Sequence, residues 1–275
     1  MAWQSTGDPA AFAAATTPLL RRDPERNTVA LGVLANALDG VSWSTGMRYA
    51  WLERQGTVSG AVMFTPSFPL LLVAVPEDSL GDLIVLLGNE NWGFTRVSAE
   101  VGLADRFASA WRPGAPPAVW QRQRLYRLSS LRGVPVPPGN ARLGARADTE
   151  TVARWLVEFQ REAHESPNDH AAEIALSRVE AGLFWLWVVD GEPVSMAGRT
   201  APAAGIARIG PVYTPPQFRR SGYGTAVTAA CTQSALDDGA AGVVLFTDLA
   251  NPTSNAIYQS IGYVPVSDRV ILEFG

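Results

Sequence analysis

The sequence predicts a mixed α/β protein, with strands and helices in mixed sheets, in which one fold occurs twice. Three observations lead to this prediction. Strand patterns and helical patterns alternate in the second half of the chain, which is typical of a layered α/β domain. The first half repeats part of that order, as duplicated folds do. Between them, residues 134–140 hold three prolines and no helical periodicity. We place the boundary there, with domains over residues 1–135 and 136–275.

The second half is predicted to run strand, helix, helix, three strands, helix, strand, helix and two short strands. Asp148 is a favoured helix N-cap, and Asp190-Gly191 is a typical hairpin turn. The strand at 183–189 is apolar on both faces, so we expect it to be covered on both sides. The other strands are predicted at 141–147, from about 193, at 206–213 and at 243–247, and the helices at 148–165, 169–181, 222–236 and 252–261.

The first half is predicted to contain the same kinds of element in a similar order. Helices are predicted at 29–38, 80–87 and 103–111, and strands at 48–53, 58–64, 70–75, 94–99 and 123–128. The alternative is that this half is an unrelated α+β domain.

The composition limits the classes of protein to consider. The chain has 275 residues, of which 47% are hydrophobic and 17% charged, which is enough for two cores. The formal net charge is -4, so we expect no nucleic-acid partner. The single cysteine, Cys231, fits a reducing compartment, and we see neither a secretory signal nor a membrane span. A cytoplasmic protein without a membrane partner is the expectation.

The most informative stretch comes directly after the predicted strand at 206–213. Two cations, Arg219 and Arg220, precede two glycines, Gly222 and Gly224, and a helix begins there. Glycines let backbone N–H groups approach a ligand, and a helix N-terminus attracts anions. This predicts a pyrophosphate site. A plain turn remains an alternative, whereas a dinucleotide-binding turn is excluded, because Val227 occupies the position of its third glycine.

Pro211 interrupts the strand that precedes this loop. Proline cannot donate to a sheet ladder, so pairing is expected to fail where it falls. A strand that parts from its neighbour exposes backbone groups to an extended ligand. A simple edge strand or bulge is the alternative interpretation.

The segment 219–224 resembles the [Q/R]-x-x-G-x-[G/A] signature of the GNAT superfamily of N-acyltransferases, and the resemblance covers about residues 141–275. It implies the GNAT acyltransferase fold in two tandem copies, and acetyl-CoA as cosubstrate. It also implies that the strand before the loop pairs with pantetheine and that the loop amides bind the pyrophosphate. The cofactor contacts implied are Val212, Tyr213, Thr214, Arg219, Arg220, Ser221, Gly222, Tyr223, Gly224 and Thr225.

A second motif, residues 249–263, opens with Asn251-Pro252 and ends at Gly262-Tyr263. Helix physics alone explains these ends, since asparagine is a good N-cap and proline suits the first position. The segment also resembles the second CoA-proximal motif of the GNAT superfamily. The resemblance implies that Tyr258 protonates the departing thiolate, and that Asn251, Ser254 and Asn255 lie near the cofactor. A phenol is protonated at neutral pH, which suits this role.

The implied reaction is direct attack of a primary amine on the thioester, without a covalent enzyme intermediate. Glu162 is the first candidate for the base, because it borders the apolar face of its helix. His164 and Glu165 are alternatives, and all three are also plausible surface residues. We expect no metal site, since no Cys/His cluster has ligand spacing.

The first half lacks the chemistry of the second. Glu77 and Asp78 stand where the second half has its cationic loop, and would repel a pyrophosphate. We therefore predict a degenerate GNAT-like copy that does not bind CoA. Trp43, Trp51 and Trp92 are candidates to line the acceptor cleft, and the alternative is that they are core residues. The alternative function is a regulatory CoA-binding module of the same fold. The acceptor amine stays open, and a monomer or homodimer is expected.

Overall fold

The computed structural model describes residues 2–40, 45–163 and 170–275. The chain forms two compact units. The first unit comprises Met1–Leu125, Asp248–Ala250 and Val266–Gly275, and the second comprises Tyr126–Thr247 and Asn251–Pro265. The last residues of the chain thus belong to the first unit. The domain boundary at 135/136 stays a prediction.

The described residues contain the same succession of elements twice: strand, helix, helix, three strands, helix, strand, helix and strand. The first series is β1 (Ala2–Thr6), α1 (Pro9–Leu20), α2 (Thr28–Leu38), β2 (Arg48–Arg54), β3 (Thr57–Phe64), β4 (Leu70–Val73), α3 (Leu80–Asn89), β5 (Arg96–Glu100), α4 (Val101–Trp111) and β6 (Ala118–Leu128). The second is β7 (Asn140–Leu143), α5 (Thr149–Glu162), α6 (Ala171–Glu180), β8 (Phe184–Val189), β9 (Glu192–Arg199), β10 (Ile206–Tyr213), α7 (Tyr223–Asp237), β11 (Gly242–Asp248), α8 (Pro252–Ile261) and β12 (Tyr263–Glu273). The fold is therefore mixed α/β and present in two copies, as predicted.

In the first unit, the strands run in the order β1-β2-β3-β4-β5-β12. All neighbours in this series are antiparallel except β4 and β5, which are parallel. The place beside β5 is taken by β12, through residues 269–273. Helices α3 and α4 pack around a core that includes Phe94, Phe107 and Phe274.

In the second unit, the strands run in the order β11-β10-β9-β8-β7, with β10 and β11 parallel and the others antiparallel. The four helices of this unit lie in pairs over two apolar cores, one on each face of the sheet. One core contains Ala226 and Cys231 of α7 and Tyr258 of α8. The other contains Trp155 of α5 and Val179 of α6. Helix α5 shows why it lies on its core, since Val152, Trp155 and Leu156 form one buried apolar stripe on a polar helix.

Most predicted elements of the second half are confirmed, and the bounds 206–213 of β10 match the prediction. The predicted hairpin is also confirmed, with positive φ at Asp190 (49°) and Gly191 (83°). The prediction of two short final strands is wrong, because residues 263–273 form one strand. Pro265 lies within this strand, since its fixed φ is compatible with extended backbone.

The sequence analysis missed β1 and α1. Asp8 caps α1 by accepting a hydrogen bond from the N–H of Ala10 at 2.9 Å, and Pro9 takes the first helical position. Both are ordinary helix-start signals. Pro18, inside the last turn of α1, obscured the pattern. Within the described part of the chain, no helix is both long and apolar enough to cross a membrane.

Candidate functional site

Strand β10 leaves its parallel neighbour β11 halfway along its length. In the described residues, the register with β11 runs from Ile206 to Ile209 and goes no further. Strand β10 nevertheless stays paired with β9, through Val212 opposite Ala197 and Tyr213 opposite Met196. The register with β9 shifts between Ile209 and Val212, where Pro211 lies and where the Gly210–Pro211 peptide is cis. The predicted interruption at Pro211 is confirmed, and among the described residues β11 has no register with residues 210–213.

Arg178 of α6 holds the backbone at this break. Its Nη2 donates to the carbonyl oxygens of Gly210 at 3.1 Å and Arg199 at 2.9 Å. Its guanidinium lies over the ring of Phe184, 4.6 Å from the centroid. Burial lowers the pKa of Arg178 to about 10, so it remains a cation at neutral pH. A Cβ on Gly198 would lie 3.0 Å from the same Nη2, so a glycine is needed beside this contact.

The loop after β10 ends in a glycine cap. Gly222 is the N-cap of α7 with a φ of 83°, a conformation that favours glycine. A Cβ on Gly224 would lie only 3.3 Å from the Oγ1 of Thr214. The first turn of α7 contains no acidic residue, and its N–H groups have no acceptor within the helix. Together these features make a site that attracts an anion.

The two arginines of the loop have different surroundings. Arg219 donates from Nε to the carbonyl oxygen of Thr214 at 2.8 Å and from Nη2 to both carboxylate oxygens of Glu162 at 2.7 Å. Arg220 is exposed, has a φ of 65°, and forms no ion pair with any described residue. Arg220 is therefore the loop cation that is available to an anionic ligand.

Tyr213, the last residue of β10, turns its side chain toward α5. Its ring packs against Trp155, with centroids 6.3 Å apart. Its hydroxyl donates to Oε1 of Glu162 at 3.4 Å. Burial, and then the charges of Glu162 and Glu158, raise the pKa of Tyr213 to about 12. The phenol therefore keeps its proton over the physiological pH range.

Helix α8 begins and ends as its sequence predicts. The side chain of Asn251 accepts from the N–H of Ser254 at 3.0 Å, and Gly262 terminates the helix with a φ of 113°. A Cβ on Gly262 would lie 1.9 Å from the carbonyl oxygen of Ser130, which makes glycine obligatory. The physics of the helix ends thus accounts for these three positions.

Tyr258 lies inside α8, almost fully buried, with its ring 6.3 Å from that of Tyr263. Burial raises its pKa to about 12, against a smaller opposite effect of a hydrogen bond with Ser254. Val212 and Tyr223 pack against the same apolar cluster. Tyr258 is thus a neutral phenol in one cluster with residues of the parted strand and of α7.

Asn255 holds α8 in place. Its Oδ1 accepts from the hydroxyl of Tyr126 at 3.0 Å, and its Nδ2 donates to the carbonyl oxygen of Asn251 at 2.7 Å. Gln259 donates to the same Tyr126 hydroxyl at 3.1 Å. These contacts give Asn255 a structural role, whichever ligand lies nearby.

The structure brings most of the predicted site residues together in the second unit. Residues 212–214 and 219–225 form one strand end and its loop, and Glu162 contacts both. His164, Glu165 and Trp43, which were also candidates, lie outside the described residues. Cys231 is buried, which raises its pKa to about 12 and leaves a neutral thiol unsuited to nucleophilic attack. Among the described residues, no group of three His, Cys, Asp or Glu side chains could hold a metal ion.

Sequence reasoning missed three contributors: Arg178, Glu158 and Tyr126. Glu158 lies four residues before Glu162 on α5, so the helical spacing that singled out Glu162 also places Glu158 on the same face. No sequence signal marks Arg178 or Tyr126, because their contacts join distant parts of the chain.

Residues 149–263 match the family described as the acetyltransferase (GNAT) family, and this part of the chain is a GNAT domain. The match includes β10, which separates from β11, the glycine-capped helix α7, and α8. No curated protein matches the chain in sequence.

Solved structures extend the likeness of the fold over the whole chain. A Drosophila protein is 12% identical, with 98% of each chain covered and a TM-score of 0.70. A GCN5-related N-acetyltransferase from Sphaerobacter thermophilus is 15% identical, with 98% of this chain and 94% of the other covered and a TM-score of 0.65. A tandem GNAT protein from the clavulanic acid biosynthesis pathway is 15% identical, with 98% and 97% covered and a TM-score of 0.57. At these identities the likeness establishes the fold, which is a tandem GNAT fold.

Proposed function

We propose that this protein is a cytoplasmic N-acetyltransferase that transfers an acetyl group from acetyl-CoA to a primary amine. One observation carries the proposal. A strand parts from its parallel neighbour immediately before a loop whose glycine caps a helix free of acidic residues in its first turn. An open backbone edge next to an anion site suits a ligand that has an extended amide arm and a diphosphate.

The residues at this site fit acetyl-CoA. Residues 212–213, which are not paired with β11, are suited to offer backbone groups to the pantetheine arm, in the manner of an added strand. The amides of residues 220–225 and the N-terminus of α7 offer donors to the diphosphate. Arg220 adds a cation without a competing carboxylate, whereas Arg219 is already engaged. Gly222 and Gly224 keep the loop free of side chains that would fill the phosphate position.

The chemistry depends on the groups around the open edge. Acetyl-CoA supplies an activated acetyl group when it is bound. The N–H of Val212 or Tyr213 is suited to polarise the thioester carbonyl. Tyr258 holds a proton that it can give to the leaving sulfur, because its pKa of about 12 keeps the phenol neutral. The acceptor amine must be neutral to attack, so a nearby carboxylate or water must take its proton.

The test is titration of acetyl-CoA into the full chain by calorimetry, and then thiol release against a panel of primary amines. We expect saturable binding at one site and turnover with at least one amine. Binding without turnover on any amine would instead favour the regulatory CoA-binding module. A folded protein that gives no heat with acetyl-CoA would refute both functions.

A further inference from the structure

Two arginines of the second unit lie on the face of the sheet that α5 and α6 cover. Arg178 belongs to α6. Arg208 belongs to β10, where its neighbours Ala207 and Ile209 contribute to the core with α7 and α8. Because successive side chains of a strand point to opposite faces, Arg208 lies on the face of α5 and α6.

Arg178 contacts the part of β10 that directly follows Arg208. Its Nη2 donates to the carbonyl oxygen of Gly210 at 3.1 Å, and Gly210 is two residues after Arg208 on the same strand. Burial, and then the positive charge of Arg208, lower the pKa of Arg178 to about 10, which agrees with this proximity. Both side chains therefore carry their charges near the point where β10 separates from β11.

Neither cation has an anionic partner among the described residues. Nη1 of Arg208 is buried and has no hydrogen-bond partner. Arg178 donates only from Nη2, and only to backbone carbonyl oxygens. Arg199 of the adjacent strand β9 differs, because its guanidinium pairs with Asp238. A buried charge without a partner costs free energy, so Arg178 and Arg208 lack the counter-charge that Arg199 has.

There is open space at Gly210, beside the contact with Arg178. A Cβ on Gly210 would meet no atom within 4 Å, whereas a Cβ on Gly198 would lie 2.7 Å from the ring of Phe184. Gly210 is two residues before Val212, which corresponds to roughly 7 Å along a strand. A small group held near Gly210 would thus be a few bonds away from the proposed position of the thioester.

We propose that Arg178 and Arg208 bind a carboxylate group of the acceptor, so that the acceptor is an amino acid or another amine with a carboxylate. Guanidinium groups suit this ligand, because their planar N–H donors match the two oxygens of a carboxylate. Acetyl-CoA has no carboxylate, and its diphosphate is assigned to the loop before α7, which packs on the other face. This inference rests on the proposed acetyltransferase function.

The first experiment compares amines that differ only by a carboxylate, with the full wild-type chain. The pairs are glycine with methylamine, β-alanine with ethylamine, and lysine with cadaverine, each compared at equal concentrations of the neutral amine. In at least one pair, kcat/KM should be about 10- to 100-fold higher for the amine with the carboxylate, the range for hydrogen bonds to a charged group. Equal values within every pair would overturn the proposal.

Arg208→Met tests the site itself, since it removes the charge and keeps an unbranched side chain. It should abolish the preference for the carboxylate and leave the Kd of acetyl-CoA within about twofold of wild type, because ligand loss is confined to one hydrogen-bonded group. Arg208→Lys, which keeps the charge, should retain part of the preference. The matched control is Arg269→Met, a buried arginine of the first unit that donates to the carbonyl oxygen of Ser98 at 3.3 Å. A preference that survives in Arg208→Met would refute the assignment.

A second measurement needs no turnover. Propionate, compared with chloride at the same ionic strength, should raise the Tm of the wild type by mass action and leave that of Arg208→Met unchanged. No rise in the wild type, or an equal rise in both proteins, would exclude the carboxylate site.

Succinyl-CoA distinguishes the two substrates that could supply the carboxylate. If the wild type prefers succinyl-CoA to acetyl-CoA and Arg208→Met abolishes that preference, the carboxylate belongs to the acyl group and the assignment to the acceptor is wrong. If the wild type binds no acetyl-CoA, the proposed function itself fails. That outcome is separate, because the Tm measurement still tests the site.

Discussion

Each unit contains a strand that separates from its parallel neighbour. The two units differ in the segment that follows this strand. In the first unit, β4 pairs with β5 only at Leu70 and Leu71, although it stays with β3 as far as Val73. In the second unit, β10 leaves β11 after Ile209 in the same way. The opening in the sheet is therefore a property of the fold, and it does not by itself define a ligand site.

The helices after the two openings differ in charge. Helix α7 has no acidic residue in its first turn, and a glycine caps it. Helix α3 carries Asp82 in its first turn and comes after a short 3₁₀ turn, Glu77–Ser79, with two acidic residues. Negative charge at a helix N-terminus stabilises the helix and opposes an anionic ligand.

In the first unit, side chains also pack tightly against the segment that precedes α3. The indole Nε1 of Trp3 donates to the carbonyl oxygen of Ser79 at 3.1 Å. A Cβ on Gly60 would lie 3.1 Å from Pro76 and 3.3 Å from Trp3, so the segment is tightly packed. The segment before α3 in the first copy is thus occupied by packed side chains, whereas the corresponding segment before α7 in the second copy is proposed to bind a ligand. That the first half binds no CoA stays a prediction.

The largest effect is expected when a carboxylate is placed at the start of α7, and the same change at the start of α3 serves as its control. Gly222→Glu should abolish acetyl-CoA binding, a loss on the order of 1,000-fold, because like charges juxtaposed at the phosphate position cost several kcal/mol. Gly81→Glu, in the first turn of α3, is the matched control and should bind normally, since a Cβ there meets nothing within 4 Å. Calorimetry on variants shown by circular dichroism to be folded measures both. Equal losses of affinity in the two variants would contradict the proposal that only the second copy binds acetyl-CoA.

The next effect concerns stability in the first unit. Trp3→Ala should lower the free energy of unfolding by about 3–5 kcal/mol, because it removes a buried indole and its hydrogen bond. Acetyl-CoA affinity of the folded variant should stay at the wild-type value. Denaturant unfolding and calorimetry separate the two quantities. A large drop in affinity without a drop in stability would mean that Trp3 contributes to ligand binding.

A smaller effect is expected from the buried phenol of α8. Tyr258→Phe should reduce kcat about 100-fold and leave the Kd of acetyl-CoA almost unchanged. Because the pKa of Tyr258 is about 12, this group should cause no loss of wild-type kcat below about pH 10. Tyr263→Phe removes a neighbouring buried hydroxyl and is the control. Equal rates for Tyr258→Phe and wild type would show that the proton comes from elsewhere.

The smallest effect separates the two arginines of the loop. Arg220→Ala should weaken acetyl-CoA binding about two- to fivefold, with a difference from wild type that shrinks at high salt, because an exposed cation acts through screened attraction. Arg54→Ala, whose side chain pairs with Asp78 in the first unit, should not change the affinity. A salt-independent loss in Arg220→Ala would point to a folding defect of the loop.

Local patterns predicted much of the second unit. The bounds of β10, the hairpin at Asp190-Gly191 and the ends of α8 each depend on residues close in sequence, which periodicity and capping rules describe. Contacts between distant residues could not be predicted in this way. The hydrogen bond between Tyr126 and Asn255 spans 129 residues, and no pattern in either segment indicates it. The contacts of Glu162 with Tyr213 and Arg219 likewise depend on how β10 and α5 pack.

The end of β12, from residue 266 onward, belongs to the first unit, and this has a consequence for the order in which the chain is synthesised. Because β5 pairs with residues 269–273, the first unit lacks a strand until the end of β12 has been translated. Until then the edge of β5 carries unpaired backbone groups, which tend to associate with other chains. A truncation before residue 266 should therefore leave the edge of β5 unpaired and prone to associate with other chains.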